Sequence, residues 1–186
     1  VNAGLIVVSA DEPGIHSSQN EQDNRWYALH ANIPMLEPSD SQECYSMAFE
    51  AFDLSEKYST PVLIRMTTRV CHSKSLVELR EPLEKRILPV VNDPKKFVPV
   101  PANARLHKSN VLKRAKLLYE ESEESNLNYD EYISDDTGII ASGICYQYAK
   151  EVFGDNASYF KIGFSHPLPY KKIAEFASKV KKLYII

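Results

Sequence analysis

The sequence has no uninterrupted apolar run of the roughly 18 residues that a membrane-spanning helix needs, and no charged-then-apolar leader of a signal peptide. It has no excess of charge. Its 22 Lys and Arg against 25 Asp and Glu leave a net −3, which gives no general reason to expect nucleic acid or an anionic membrane as a partner. Cysteine is sparse. Cys44, Cys71 and Cys145 lie far apart and form no CxxC, no zinc pattern and no disulfide framework, which suits a reducing cytoplasm. An initiating methionine is missing too, and the last four residues, Leu183-Tyr184-Ile185-Ile186, read as part of a strand. Both ends are therefore expected to be cut, and the chain is expected to be an internal fragment of a larger subunit.

What is present is an ordinary globular composition, 44% apolar and 25% charged, over 186 residues, enough for one large domain or two small ones with a real core. The most informative stretch is 11–25. It follows the apolar run Leu5-Ile6-Val7-Val8, which reads as a buried strand over 5–10 that Pro13-Gly14 ends. Ser18 and Glu21 have capping-box spacing, which predicts a helix over 18–30. His16, Ser17, Ser18 and Gln19 then crowd the place where a strand's C-terminal end meets a helix start. In α/β folds ligands bind there, and free N–H groups favour anions.

The alternation continues. A short strand is expected over 33–37 and a helix opened by Pro38-Ser39, with Ser39 and Gln42 repeating the capping-box spacing. Cys44, Met47, Ala48, Ala51 and Phe52 make one apolar stripe on that helix. A third strand is expected over 61–66. Strands joined by crossover helices form parallel units. Their C-terminal ends point to one rim, which should bring together His16, Ser17, Ser39, Thr67, Thr68, Arg69, His72 and Ser73. Hydroxyls, imidazoles and an arginine suit a carboxylate or phosphate ligand. The competing reading has Arg69 pairing with Glu37 or Asp40 while the hydroxyls cap turns.

Residues 73–136 change character. Pro82, Pro89, Pro94, Pro99 and Pro101 mark an extended connector, with a helix over 102–121 from the spacing of Leu106, Val111, Leu112, Ala115, Leu118 and Tyr119. A loop is expected over 126–136. The last third repeats the strand–helix order: strand 138–142, helix 144–153 closed by Gly154, strand 159–163, a loop at His166-Pro167-Leu168-Pro169, helix 170–180 and a strand from 183. Ser142, Gly143 and His166 sit at strand ends, where turns need such residues in any case.

The wording of several stretches goes beyond spacing. They are Val1-Asn2-Ala3-Gly4, Asp11-Glu12-Pro13-Gly14-Ile15-His16-Ser17-Ser18-Gln19-Asn20-Glu21-Gln22-Asp23, Pro34-Met35-Leu36-Glu37-Pro38-Ser39-Asp40-Ser41-Gln42-Glu43, Thr67-Thr68-Arg69-Val70 and Gly138-Ile139-Ile140-Ala141-Ser142-Gly143. Together they resemble the alpha subunits of indolepyruvate ferredoxin oxidoreductases, members of the thiamine-diphosphate-dependent 2-oxoacid:ferredoxin oxidoreductases. The likeness spans most of the chain and is looser over 90–136. Trp26-Tyr27 after Arg25 departs from the pattern and leaves the contacts of Arg25 open.

The resemblance implies an α/β fold of two small three-layer parallel-sheet domains. Residues 1–80 would be part of a thiamine pyrimidine-binding domain and 137–186 the start of a transketolase C-terminal-like domain, with 81–136 the proline-rich connector carrying one helix. It implies oxidative decarboxylation of arylpyruvates such as indolepyruvate, with thiamine diphosphate and [4Fe-4S] clusters in the full-length subunit, ferredoxin as electron acceptor and coenzyme A taking the acyl group. A beta subunit, ferredoxin, coenzyme A and the 2-oxoacid are the implied partners, in a cytoplasmic oligomer. His16 would be catalytic, Ser17, Ser18 and Gln19 would bind cofactor, and Arg69 and Arg25 would bind substrate. No metal site is implied, since the cluster and diphosphate ligands would lie outside the chain, as would the glutamate that activates the cofactor's ring. Another 2-oxoacid as substrate, or a non-catalytic α/β module that binds an anion or a partner, are the alternatives.

Overall fold

The computed structural model describes residues 3–16, 18–82 and 89–186. Two four-stranded sheets carry the fold, and each is parallel across three strands. In the first sheet, β1 (Ile6–Asp11) is an edge strand beside β3 (Val62–Thr67), followed by β2 (Met35–Leu36) and β7 (Phe164–His166). In the second, β4 (Asn128–Glu131) lies beside β6 (Ser158–Ile162), then β5 (Thr137–Ser142) and β8 (Lys182–Ile185). Helices α1 (Arg25–Ala31), α2 (Ser41–Tyr58) and α3 (Thr68–His72) belong to the first half. The short α4 (Pro94–Phe97) and the long α5 (Pro101–Glu124) occupy the proline-spaced middle. Helices α6 (Gly143–Phe153) and α7 (Tyr170–Ser178) flank the second sheet.

Each sheet gains one antiparallel edge strand where a loop was expected: β4, against β6, and β7, against β2. The chain leaves the second sheet after Ile162 and enters the first at Phe164, turning at Gly163. A Cβ on Gly163 would lie 2.6 Å from the Leu127 carbonyl oxygen, so only glycine lets the chain pass. The Asn128 side chain pins this crossing from inside. Its Oδ1 accepts from the backbone N–H of Gly163 at 3.0 Å and of Phe164 at 2.9 Å, and its Nδ2 donates to the carbonyls of Ser122 and Phe164.

Two helix starts also fall elsewhere than the capping-box spacings placed them. Ser18 Oγ donates to the Asn20 carbonyl, so no helix forms there. The first helix begins at Arg25 behind Asn24, which is tied to β1 by bonds to Ser9 Oγ, the Ala10 carbonyl and Asp11 Oδ2. Asp40, one residue beyond Ser39, caps α2 by accepting from Glu43 N–H at 2.8 Å. Glu43 in turn receives the backbone N–H and hydroxyl of Ser39, at 2.7 and 2.8 Å.

The first core packs Leu36, Met47, Ala51, Leu54, Val62 and Ile64 with Leu118 of α5 and Phe164 of β7, so remote parts of the chain close one interior. A polar seam joins the two halves. Lys161, whose side chain is fully buried in β6, pairs with Glu43 in the first turn of α2. Gln147 of α6 donates to Ser39 Oγ and Asp40 Oδ2, at 3.2 and 3.0 Å. The α2 N-terminus is thereby fixed against α6, which sets the distance between the two walls of the cavity described below.

His166 in β7 gives a pH dependence. Burial lowers its pKa, because the imidazolium is the poorly solvated form. A depressed histidine pKa means the unfolded chain takes up the proton first. Stability is therefore full above the ordinary histidine range and falls as pH drops through it toward the folded value. Urea melts at stepped pH should show that fall, and His166→Gln should flatten it. An unchanged profile in the variant would refute the assignment.

Among the described residues no strand pairs the outer edges of β1 and β8, and both edges are apolar. Val7 and Val8 of β1 are 42% and 60% exposed, and Ile185 of β8 is 77% exposed. Unpaired edges recruit other strands. The chain by itself should self-associate, with light-scattering mass rising with concentration, and Val8→Lys with Ile185→Lys should restore a monomer. A concentration-independent monomer in the parent chain would count against edge pairing. Among the described residues, no helix is long and apolar enough to cross a membrane.

Candidate active site

The parallel strands β1, β2 and β3 end at Asp11, Leu36 and Thr67, and β5 ends at Ser142. Thr67 and Ser142, with Pro13 and His16 from the loop after β1, line a cavity of about 750 Å³. One wall carries His16, Arg25, Arg65, Thr67, Thr68 and Arg69. The other is the first turns of α6 with Ser142, Gly143, Ile144, Cys145 and Tyr148, closed by Ile186. The walls meet where Gly143, with φ +52°, approaches the Glu37 carboxylate and the Pro38 carbonyl. An added Cβ there would be strained by the backbone conformation rather than by lack of space.

Beneath the rim lies a buried charge triad. Arg65 Nε donates to Asp11 Oδ2 at 2.8 Å and its terminal nitrogen to Glu37 Oε2 at 2.7 Å. Burial opposes the charge on Arg65, yet the Asp11 and Glu37 carboxylates hold its pKa above the ordinary value. The triad ties the ends of β1 and β2 to β3, so it fixes the rim's shape. Sequence reasoning missed it. The available signal was an arginine inside the apolar run Val62-Leu63-Ile64-Arg65-Met66, which can be buried only with acidic partners.

The rim residues expected from the sequence divide. His16, Arg25 and Arg69 line the cavity with Thr67 and Thr68. Arg25 also pairs with Asp23 in two bonds of 2.8 Å, which raises its pKa and lowers that of Asp23. Arg69 is exposed, and among the described residues it makes no ion pair: Glu37 is taken by Arg65, and Asp40 by Glu43 and Gln147. Ser18 is bonded within its own turn, and neither it nor Gln19 lines the cavity. Ser39 is buried on Glu43, and Ser73 Oγ caps α3 on the Val70 carbonyl. Ser17 lies outside the described residues. The apolar part of the far wall, Ile144 and Tyr148, was not anticipated.

Two polar atoms at this rim have no hydrogen-bond partner although they are buried, Thr67 Oγ1 and Asp11 Oδ1. Such atoms cost free energy unless a ligand or water completes them. The three cysteines are free thiols, and burial pushes Cys44 up to about 11, which makes it a poor nucleophile and metal ligand. Among the described residues no group of three or more His, Cys, Asp or Glu could hold a metal ion.

The model of the pyruvate flavodoxin/ferredoxin oxidoreductase, thiamine diphosphate-binding family matches residues 9–133. The chain belongs to that family. It is 42% identical over 195 residues to the indolepyruvate oxidoreductase subunit IorA of Methanothermobacter thermautotrophicus, covering 100% of this chain and 31% of that protein. It is 39% identical over 188 residues to the Archaeoglobus fulgidus protein of the same name, covering 98% of this chain and 30% of the other. The likeness to the alpha subunit of an indolepyruvate oxidoreductase, carried by the quoted stretches, is thus borne out, and the chain spans less than a third of these relatives. Among solved structures, the 2-oxoglutarate:ferredoxin oxidoreductase from Magnetococcus marinus, with 2-oxoglutarate, coenzyme A and succinyl-CoA bound, superposes with a TM-score of 0.64. At 16% identity, over 97% of this chain and 40% of that one, it supports the α/β fold.

Proposed function

We propose that this chain is part of a subunit that oxidatively decarboxylates arylpyruvates, indolepyruvate among them, passing electrons to ferredoxin and the acyl group to coenzyme A. The observation that carries the reading is the cavity between the two sheets. It combines Arg69, which makes no ion pair among the described residues, with the buried Thr67 hydroxyl and an apolar far wall, in a chain that is similar to IorA over its whole length.

The donor set fits the ring side of thiamine diphosphate. Thr67 Oγ1 is buried, partnerless and at the rim, as a hydroxyl awaiting a heterocyclic nitrogen would be. Thiamine diphosphate, when bound, supplies the carbanion and electron sink for losing carbon dioxide. The residues present do not fit an iron–sulfur cluster, so the clusters, the diphosphate site and the beta subunit are assigned to the remainder of a longer cytoplasmic assembly. Within this chain, Arg69 receives the substrate carboxylate, because a guanidinium matches it as a bidentate pair. Arg25, held by Asp23, adds a second positive charge on the same wall. His16 presents its imidazole to the same cavity. Ile144 and Tyr148 exclude water from an aromatic side chain. Ser17, Ser18 and Gln19 keep a cofactor-side role only through the likeness of their stretch to the family.

The apolar far wall also favours an arylpyruvate over the main competing substrate class, 2-oxoacids with a second carboxylate. The test is the complete subunit with its partner, assayed for 2-oxoacid-dependent reduction of a viologen dye. Indolepyruvate should give the highest kcat/KM. Activity with 2-oxoglutarate alone would transfer the assignment to that class, and no activity with any 2-oxoacid would favour a non-catalytic module. This chain alone should turn over none of them, even with thiamine diphosphate added.

A further inference from the structure

A groove of about 140 Å³ lies along α6 beside the cavity at the sheet ends. Cys145, Tyr148 and Ile186 line both, so the two spaces adjoin. Ala149, Val152 and Phe153 complete the groove, and no charged side chain lines it. Cys145, Tyr148, Ala149 and Val152 recur three and four positions apart, which puts them in one row on α6. Ala149 is buried, and its short side chain among larger neighbours leaves the depression. Tyr148 and Val152 are exposed beside it. Just after β8, Ile186 donates its N–H to the Ile140 carbonyl of β5 at 3.0 Å, which fixes the other side of the groove.

We infer that this groove seats the aromatic ring of the substrate, an inference that rests on the 2-oxoacid reading above. The cavity and groove together are polar at one end and apolar at the other. Arg25 and Arg69 lie on one wall, and the groove continues the opposite wall. A 2-oxoacid with a flat apolar side chain has the same two ends, and seating its ring removes apolar area from water. An apolar cavity of about 150 Å³ takes one benzene ring, so the groove matches the six-membered ring of a phenyl or indole side chain. A second carboxylate on the substrate would meet no cation there. Ala149 and Val152 thus act on side-chain preference and take no part in the chemistry.

The test uses the complete subunit with its partner. Steady-state kinetics compare indolepyruvate, phenylpyruvate and pyruvate, and calorimetry follows indole-3-lactate, which lacks the reactive 2-oxo carbon. Val152 is 74% exposed, so a charged residue there keeps the fold. Val152→Lys and Val152→Glu should each weaken indole-3-lactate by about tenfold, the scale of losing a partly buried ring. The preference for the two arylpyruvates over pyruvate should fall by a similar factor, through KM. The opposite charges should act alike, because each keeps water in the groove. A loss in Val152→Glu alone would overturn the inference, since that is repulsion of the substrate carboxylate. Unchanged affinity and preference in both variants would overturn it and leave the 2-oxoacid reading standing. Failure of both variants to assemble with the partner would overturn it too, the groove then being a subunit interface. A parent enzyme that turns over no 2-oxoacid would instead overturn the 2-oxoacid reading, and the inference with it.

Discussion

Replacing Arg65 with methionine should destabilise the fold by about 3–5 kcal/mol, the scale of an uncompensated buried charge. The guanidinium is only 8% exposed, and its two partners, Asp11 and Glu37, are 0% and 4% exposed at their side chains. Without it, two carboxylates remain side by side in a poorly solvated place. Asp11 has little to fall back on, since its Oδ2 keeps only the bond from Asn24 N–H and its Oδ1 already lacks a partner. For a chain of this size the loss corresponds to roughly 6–20 °C in Tm. The sign with pH is fixed by the same reasoning. In the variant the carboxylates are raised above their unfolded values, so their penalty is greatest near neutrality and shrinks as acid protonates them. Urea melts of the parent and Arg65→Met chains at neutral and mildly acidic pH check both statements. The triple variant with Asp11→Asn and Glu37→Gln should recover much of the loss, because an all-neutral replacement leaves no charge stranded. A loss below about 1 kcal/mol, the range of a surface pair, would show that the triad is better hydrated than its burial indicates.

The triad also marks where reading the sequence succeeds and where it stops. Strands such as Val62–Thr67 and Thr137–Ser142 are legible because parallel strands covered on both faces are continuous apolar runs, and α5 is legible from its repeat of large apolar residues. Asn128–Glu131 is not legible. Its residues, Asn-Tyr-Asp-Glu, have no alternation, and it becomes a strand because Asn128 is satisfied by groups more than thirty positions away, at Gly163 and Phe164. β7 fails for the same reason, since a three-residue strand is defined by its partner β2. The first helix starts at Arg25 rather than Ser18 because Asn24 is tied to β1, and the second shifts by one position because Asp40 rather than Ser39 accepts the Glu43 N–H while Ser39 donates to Glu43. At the cavity, parallel topology correctly gathers His16, Thr67, Thr68 and Arg69. It says nothing of which arginine is spent on structure. That role falls to Arg65, and Arg69 makes no ion pair among the described residues.

This division of labour sharpens the expectation for Arg69. In the complete enzyme, Arg69→Ala should weaken 2-oxoacid binding about tenfold to a hundredfold, since a hydrogen bond to a charged group contributes about 1.5–3 kcal/mol. The rise should appear mainly in the apparent KM, with kcat less affected, if the guanidinium holds the carboxylate equally in the ground and transition states. His16→Ala should show the opposite split, a lower kcat with a modest change in KM, if the imidazole at the mouth transfers a proton. The competing role for Arg69, tying its loop to Glu37 or Asp40, predicts a lower Tm with normal kinetics. The geometry weighs against it, because both acids already have other donors. An exposed arginine without an ion pair should cost no more than about 0.5 kcal/mol when removed, so the melt should hardly move. Steady-state kinetics and a thermal melt on the same protein separate the two, and unchanged KM with a depressed Tm would end the substrate-binding role of Arg69. Arg69→Lys adds a finer test. Lysine keeps the charge but cannot pair with both carboxylate oxygens in one plane, so it should recover only part of the lost affinity.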